Sequence, residues 1–145
     1  MEPAGTLVLV HGEKDLRALI ASMRPRLDPV TYVWLCLEEG PASARALAGD
    51  AVATAREAEG LTLVVPHERA EAVGHASKFP SVRITLEVHS TLEAVGLTAT
   101  FAAALTDLGI SANVVAGFHH NHIFVPLDRA ADAMAALERL AASAR

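Results

Sequence analysis

Apolar residues in this chain fall into two spacings, and their alternation predicts most of its elements. Val30–Leu37 (Val-Thr-Tyr-Val-Trp-Leu-Cys-Leu) is dense in β-branched and aromatic residues and reads as a strand. Val82–His89 alternates, with Val82, Ile84, Leu86 and Val88 on one face, which is the two-residue period of a strand. Thr6–Val10, Leu61–Val65, Ala112–Ala116 and His122–Val125 are shorter runs of β type, the last two joined across Gly117–Asn121. Helical spacing appears first in Asp15–Met23, through Leu16, Leu19, Ile20 and Met23, with Pro25 and Pro29 ending it. Leu97, Phe101, Ala104, Leu105 and Leu108 form a second stripe, stopped at Gly109. Ala133, Met134, Leu137, Leu140 and Ala141 form a third, with Asp128 as the expected N-cap. Pro41 is placed to start a short helix ending near Gly49, and Glu68–Val73 reads as a helix begun after Pro66. Ala51–Arg56 fits helix and strand equally.

Two of these stretches nearly repeat. Val65-Pro66-His67-Glu68-Arg69-Ala70 and Val125-Pro126-Leu127-Asp128-Arg129-Ala130 each follow an apolar run and open an Ala-rich helix. The second half reads β-α-β-β-α, and the first half, from Val30 to Val73, reads the same with a shorter first helix. The expected fold class is therefore α+β, with tandem ferredoxin-like βαββαβ repeats whose antiparallel sheets carry helices on one face. Residues 1–76 form the first repeat with an N-terminal strand–helix extension, and residues 77–145 form the second; Gly74–Pro80 is the linker. Each half lacks a fourth strand of its own. Val82–Val88 or Thr6–Val10 is expected to supply the missing edges so that the units interlock, or an edge is left for a partner chain.

Composition narrows the partners. Half of the residues are apolar but only six are aromatic, and 29 of the 145 are Ala, so the core must be aliphatic with helices lying close to the sheet. The formal charge is −5 and Lys14 and Lys78 are the only lysines, which argues against nucleic acid or an anionic membrane surface. No run has the length of a membrane span or of a hydrophobic signal core, so a cytoplasmic protein is expected. Cys36 lies alone in an apolar run and is expected to be a buried thiol.

Candidate chemistry concentrates in the second half. Between Val88 and Leu127 only Glu93 and Asp107 carry formal charge, which marks either a buried core or a surface facing a ligand or partner. His89, Ser90 and Thr91 end a strand and precede a helix, where free backbone N–H groups can receive a carboxylate; Ser90 or Thr91 can equally be a simple N-cap. Gly96 costs a helix about 1 kcal/mol relative to Ala, which points to close approach of a ligand or to tight packing. Asn113 begins the adjacent strand and can bond an amino or carboxylate group, or only its neighbouring loop. His120 and His122 would share a strand face, with His89 as a third metal ligand, yet the segment also reads as a hairpin tip with Asn121 in its turn. No carboxylate converges on these histidines, so no metal and no other cofactor is expected. No nucleophile–base pair, phosphate loop or paired acids are visible, so an enzyme is not expected.

His89-Ser90-Thr91-Leu92-Glu93-Ala94-Val95-Gly96-Leu97, continuing through Leu108-Gly109-Ile110-Ser111-Ala112-Asn113-Val114, resembles the ACT domain signature. The blocks Glu57–Val64 and Ala116–Pro126 extend the resemblance to a group of small bacterial proteins with two ACT-like repeats and no attached enzyme. The same domain type is similar to repeats in the cytosolic arginine sensors of eukaryotes. The resemblance implies binding of an amino acid or related metabolite at the first loop, here His89, Ser90, Thr91, Glu93, Val95, Gly96 and Leu97, with Asn113 alongside. One departure is that His89-Ser90-Thr91 stands where enzyme-linked ACT domains often carry an acidic residue, so their ligands are not inherited. The expected protein is a non-enzymatic amino-acid sensor, a homodimer. The rivals are an interaction module that uses the low-charge region as an oligomer interface, and a His-dependent metal-binding protein.

Overall fold

The computed structural model describes Gly5, residues 14–75 and residues 78–145. The expected Thr6–Val10 strand lies outside the described residues. The elements run α1 (Leu16–Ser22), β1 (Arg24–Leu37), α2 (Ala42–Asp50), β2 (Ala53–Glu57), β3 (Gly60–Pro66), α3 (His67–Ala72), β4 (Ser81–Glu87), α4 (Leu97–Thr106), β5 (Asn113–Ala116), β6 (Asn121–Pro126) and α5 (Ala130–Ser143). All six strands join one antiparallel sheet in the order β2-β3-β1-β4-β6-β5. The fold is α+β. Each half contributes three strands, and the two first strands, β1 and β4, pair at the centre. The expectation that Val82–Val88 closes the edge of the first half is met, and β1 does the same for the second.

The register shows why the alternating runs face as they do. Val82, Ile84 and Leu86 of β4 lie beside Val125, Ile123 and Asn121 of β6, and Val33 and Leu35 of β1 lie beside Val65 and Leu63 of β3. These side chains point to one face, where the helices cover them. Ile84, Leu86, Ile123 and Val125 pack with Leu19 and Met23 from the α1 end, Phe101 and Leu105 of α4 and Leu137 of α5. Val33, Leu35, Leu63 and Val65 pack with Leu47 of α2 and Ala70 of α3. Phe101, Leu105, Ile123 and Leu137 are fully excluded from water, each burial contributing about 1.5–3 kcal/mol. The small Ala133, Ala136 and Ala141 let α5 lie close to its neighbours.

Several local expectations change. Pro25 and Pro29 do not merely end α1; they lie within β1, which extends back to Arg24. Residues 24–32 of β1 pair with β4 and residues 32–37 with β3, so both prolines sit where one flank of β1 has no ladder partner. The register slips between Leu27 and Thr31, a bulge that accommodates Pro29. Ala51–Arg56 resolves as strand β2. Asp128 does not cap α5: a single 3-10 turn, Leu127–Arg129, intervenes, and the cap residue Arg129 makes no side-chain cap bond. Cys36 is exposed rather than buried, because alternation places it on the helix-free face beyond the reach of β4. Leu108 is also exposed, outside the α4 stripe that its spacing suggested.

Candidate functional site

β4 and α4 are joined by residues 88–96, a longer connection than residues 38–41 between β1 and α2. This loop meets the β5–β6 hairpin, and two cavities open at the meeting. One, of about 190 Å³, is lined by His89, Ser90, Thr91, Leu92, Glu93, Phe118 and His119. The other, of about 90 Å³, shares Ser90, Thr91 and Leu92 with the first and is also lined by Ala94, Leu97, Thr98, Ala116, Gly117 and Asn121.

The hairpin is held tightly. Gly117 N–H donates to the His120 carbonyl at 2.8 Å, and a Cβ on Gly117 would stand 2.9 Å from that same oxygen, so the turn needs glycine. His120 Nδ1 lies 3.3 Å from the Val88 carbonyl, tying the hairpin tip to the end of β4. The rings of His89, His119 and His120 stand 5.5–6.3 Å apart, and Phe118 lies edge-on to His119 at 5.1 Å. His122 points elsewhere: its Nδ1 lies 2.9 Å from Thr85 Oγ1 on the helix-free face. Burial, then the positive charge of Arg83, His120 and Arg26, holds the His122 imidazole below its ordinary pKa. Among the described residues no group of three or more His, Cys, Asp or Glu side chains is arranged to hold a metal ion.

Within the loop, Ser90 N–H donates to Val88 O and Ala94 N–H to Thr91 O, a compact turn well before the helix. The residue that caps α4 is Gly96, with φ +97°, so neither Ser90 nor Thr91 is the N-cap, and Gly96 is not inside the helix. Thr91 Oγ1 is buried with no hydrogen-bond partner among the described residues. Glu93 bonds Lys14 Nζ at 2.7 Å, which keeps its carboxyl below the usual range.

The structure therefore brings His89, Ser90, Thr91 and Glu93 together around the larger cavity, and Ser90, Thr91 and Leu97 around the smaller. Val95 is largely exposed and lines neither; Gly96 lies under Leu16 instead. Asn113, exposed, starts β5 opposite Phe124, at the other end of the strand from Ala116, and lines neither cavity. In its place stands Asn121, which is buried at the start of β6 between Leu86 and Ala116. Sequence reasoning assigned Asn121 to a turn. The available signal was the offset of sixty residues between the repeats, which aligns it with Leu61 of strand β3. Among the described residues no helix is long and apolar enough to cross a membrane.

Comparison with known proteins agrees with this arrangement. Two ACT domain family models match in tandem, over residues 11–82 and 80–139. A Vibrio cholerae protein of unknown function, described as a possible transport protein, is 45% identical, with a TM-score of 0.78 over 87% of this chain and 95% of that one. The ligand-free regulatory subunit of aspartate kinase from Thermus thermophilus shares the fold at 13% identity, with a TM-score of 0.59 over 82% of this chain and 98% of that one. An Agrobacterium tumefaciens protein does so at 17% identity, with a TM-score of 0.59 over 82% of this chain and 89% of that one. No curated protein matches the chain significantly. With two family models in tandem and a near-full-length relative at this identity, the chain belongs to the ACT domain family.

Proposed function

We propose that this chain is a non-enzymatic, cytoplasmic regulatory protein that binds an amino acid in the cavities beside the 88–96 loop. Residues 1–76 and 77–145 act as its two ACT-like repeats, and the working unit is a homodimer. The observation that carries the reading is Thr91, which lines both cavities and whose buried Oγ1 has no hydrogen-bond partner among the described residues. An unsatisfied buried polar group costs about 1–3 kcal/mol, which a ligand's polar head recovers by bonding to it. His89, Leu92, Phe118 and His119 supply apolar and ring surface for the remainder of a small ligand. The ACT family membership and the regulatory role named for the Thermus subunit support regulation rather than turnover.

A second reading draws on Leu92, Val95 and Phe118, large apolar residues that are more than half exposed around this same loop. Such a patch also suits a protein–protein contact. A thermal-shift screen of the twenty amino acids separates the two. A ligand at a hundred times its dissociation constant adds about 2.7 kcal/mol, or several degrees in a domain of this size. A shift with one amino acid, abolished in Thr91→Val, is the expected result. A flat screen alongside a stable dimer overturns it in favour of the interaction module.

A further inference from the structure

The internal duplication makes the second-repeat cavities one member of a pair. Residues 55 and 62 pair across the β2–β3 hairpin as 115 and 122 do across β5–β6, so an offset of sixty maps one hairpin onto the other. Arg56 then corresponds to Ala116 and Leu61 to Asn121, two residues that line the smaller second-repeat cavity. In the first repeat, Arg56 and Leu61 also line a cavity. It has about 280 Å³, and Glu39, Gly40, Ala44, Arg45 and Ala48 complete its wall. Glu39 and Gly40 come from the β1–α2 connection, which occupies the place of the 88–96 loop, and Ala44 and Arg45 come from the helix that follows. The same three elements frame a cavity in both repeats.

The chemistry of the two has diverged. Glu93, which lines the larger second-repeat cavity, already faces Lys14. The first-repeat cavity carries two guanidinium groups and a single carboxylate. Arg56 Nε bonds Glu39 Oε1 at 2.9 Å, an exposed pair of small net worth. The Arg45 guanidinium donates to the Gly40 carbonyl, and among the described residues no carboxylate pairs with it. The fork of a guanidinium suits bidentate binding of carboxylate or phosphate. We propose that the first repeat holds a second small-molecule site, equivalent in position to that of the second repeat but selective for a small anion, with Arg45 and Arg56 as its charge partners.

Amide chemical-shift mapping on the full chain tests this with succinate and inorganic phosphate as probes. The expected result is a saturable perturbation at Gly40, Ala44 and Gly60 with at least one probe, weakened at least about tenfold in the double variant Arg45→Gln/Arg56→Gln. Both arginines are exposed, and the melting curve of the double variant checks that its fold is intact. Thr91→Val, which removes the hydroxyl of the second-repeat cavity, leaves this perturbation unchanged. Absence of saturation with both probes overturns the proposal. So does a perturbation confined to Ser90–Gly117, or equal affinity in the double variant. None of these outcomes depends on whether the second repeat takes an amino acid.

Discussion

Leu16 closes over Gly96: a Cβ built on the glycine would stand 3.0 Å from Leu16 Cδ2, and the glycine itself sits at φ +97°. The contact docks the start of α1 on the start of α4, and the nearby Lys14–Glu93 ion pair ties the same two segments together. Gly96 is therefore a residue of backbone geometry, required both by its left-handed conformation and by its neighbour.

Substituting it should damage the fold before it reveals anything about a ligand. A β-branched residue at this φ is strained by about 1–3 kcal/mol, to which displacement of Leu16 adds. Gly96→Val is expected to lower the melting temperature by several degrees, with Gly96→Ala less affected. An unchanged midpoint in chemical denaturation of Gly96→Val would mean that the α1–α4 contact does not form in solution.

Asp28 anchors the helix-free face. Its carboxylate accepts from Tyr32 Oη at 2.7 Å, Arg83 at 2.8 Å and the Val30 N–H at 3.0 Å. Burial alone would raise its pKa, but these three donors outweigh burial and hold it below 3.8. Burial and the bond to Asp28 push the Tyr32 hydroxyl up to about 12. Because the folded pKa of Asp28 lies below the unfolded one, its contribution is complete above 3.8 and is lost as pH falls through the lower folded value. Asp28→Asn should cost about 1.5–3 kcal/mol at neutral pH and flatten the acid limb of the stability curve. Urea titrations of both proteins across the acid range read this directly, and parallel curves would refute it.

His122 imposes a second pH dependence, in a higher window. Its folded pKa lies below 6.5, so the unfolded chain takes up the proton first as the solution is acidified. Stability present above 6.5 should decline as pH falls toward the folded value. His122→Gln keeps a group able to bond Thr85 and removes the titration. Thermal melts at neutral and mildly acidic pH should then differ less for the variant than for the parent protein. An equal or larger difference would assign the pH response to another group.

The elements that could be read from the sequence are those whose burial is one-sided. Val82, Ile84 and Leu86 alternate because helices cover only one face of β4, and Leu97, Phe101 and Leu105 recur because α4 buries only one stripe. Where pairing is asymmetric the pattern misleads. Pro25 and Pro29 look like a stop, yet β1 tolerates them because its first half pairs on one flank only. The apolar run around Cys36 hides an alternation whose second face meets no helix, so the thiol emerges at the surface. At the candidate site His89, Ser90, Thr91 and Glu93 could be named from local order, as the end of a strand before a helix, and these four line the larger cavity. Asn121 could not be named so, because its burial depends on a strand pairing set from outside its own hairpin.

The pairing of β1 with β4 has a consequence for how such a chain comes to exist. A single βαββα unit carries an open edge on its first strand, and two separate copies would have to meet at that edge to complete a sheet, at a rate and yield set by their concentration. Joining the copies end to end makes the encounter intramolecular, and a short tether supplies an effective concentration in the millimolar range. Duplication thus freed the sheet from dilution, and it left each copy free to change its own loop without having to preserve a match with an identical twin.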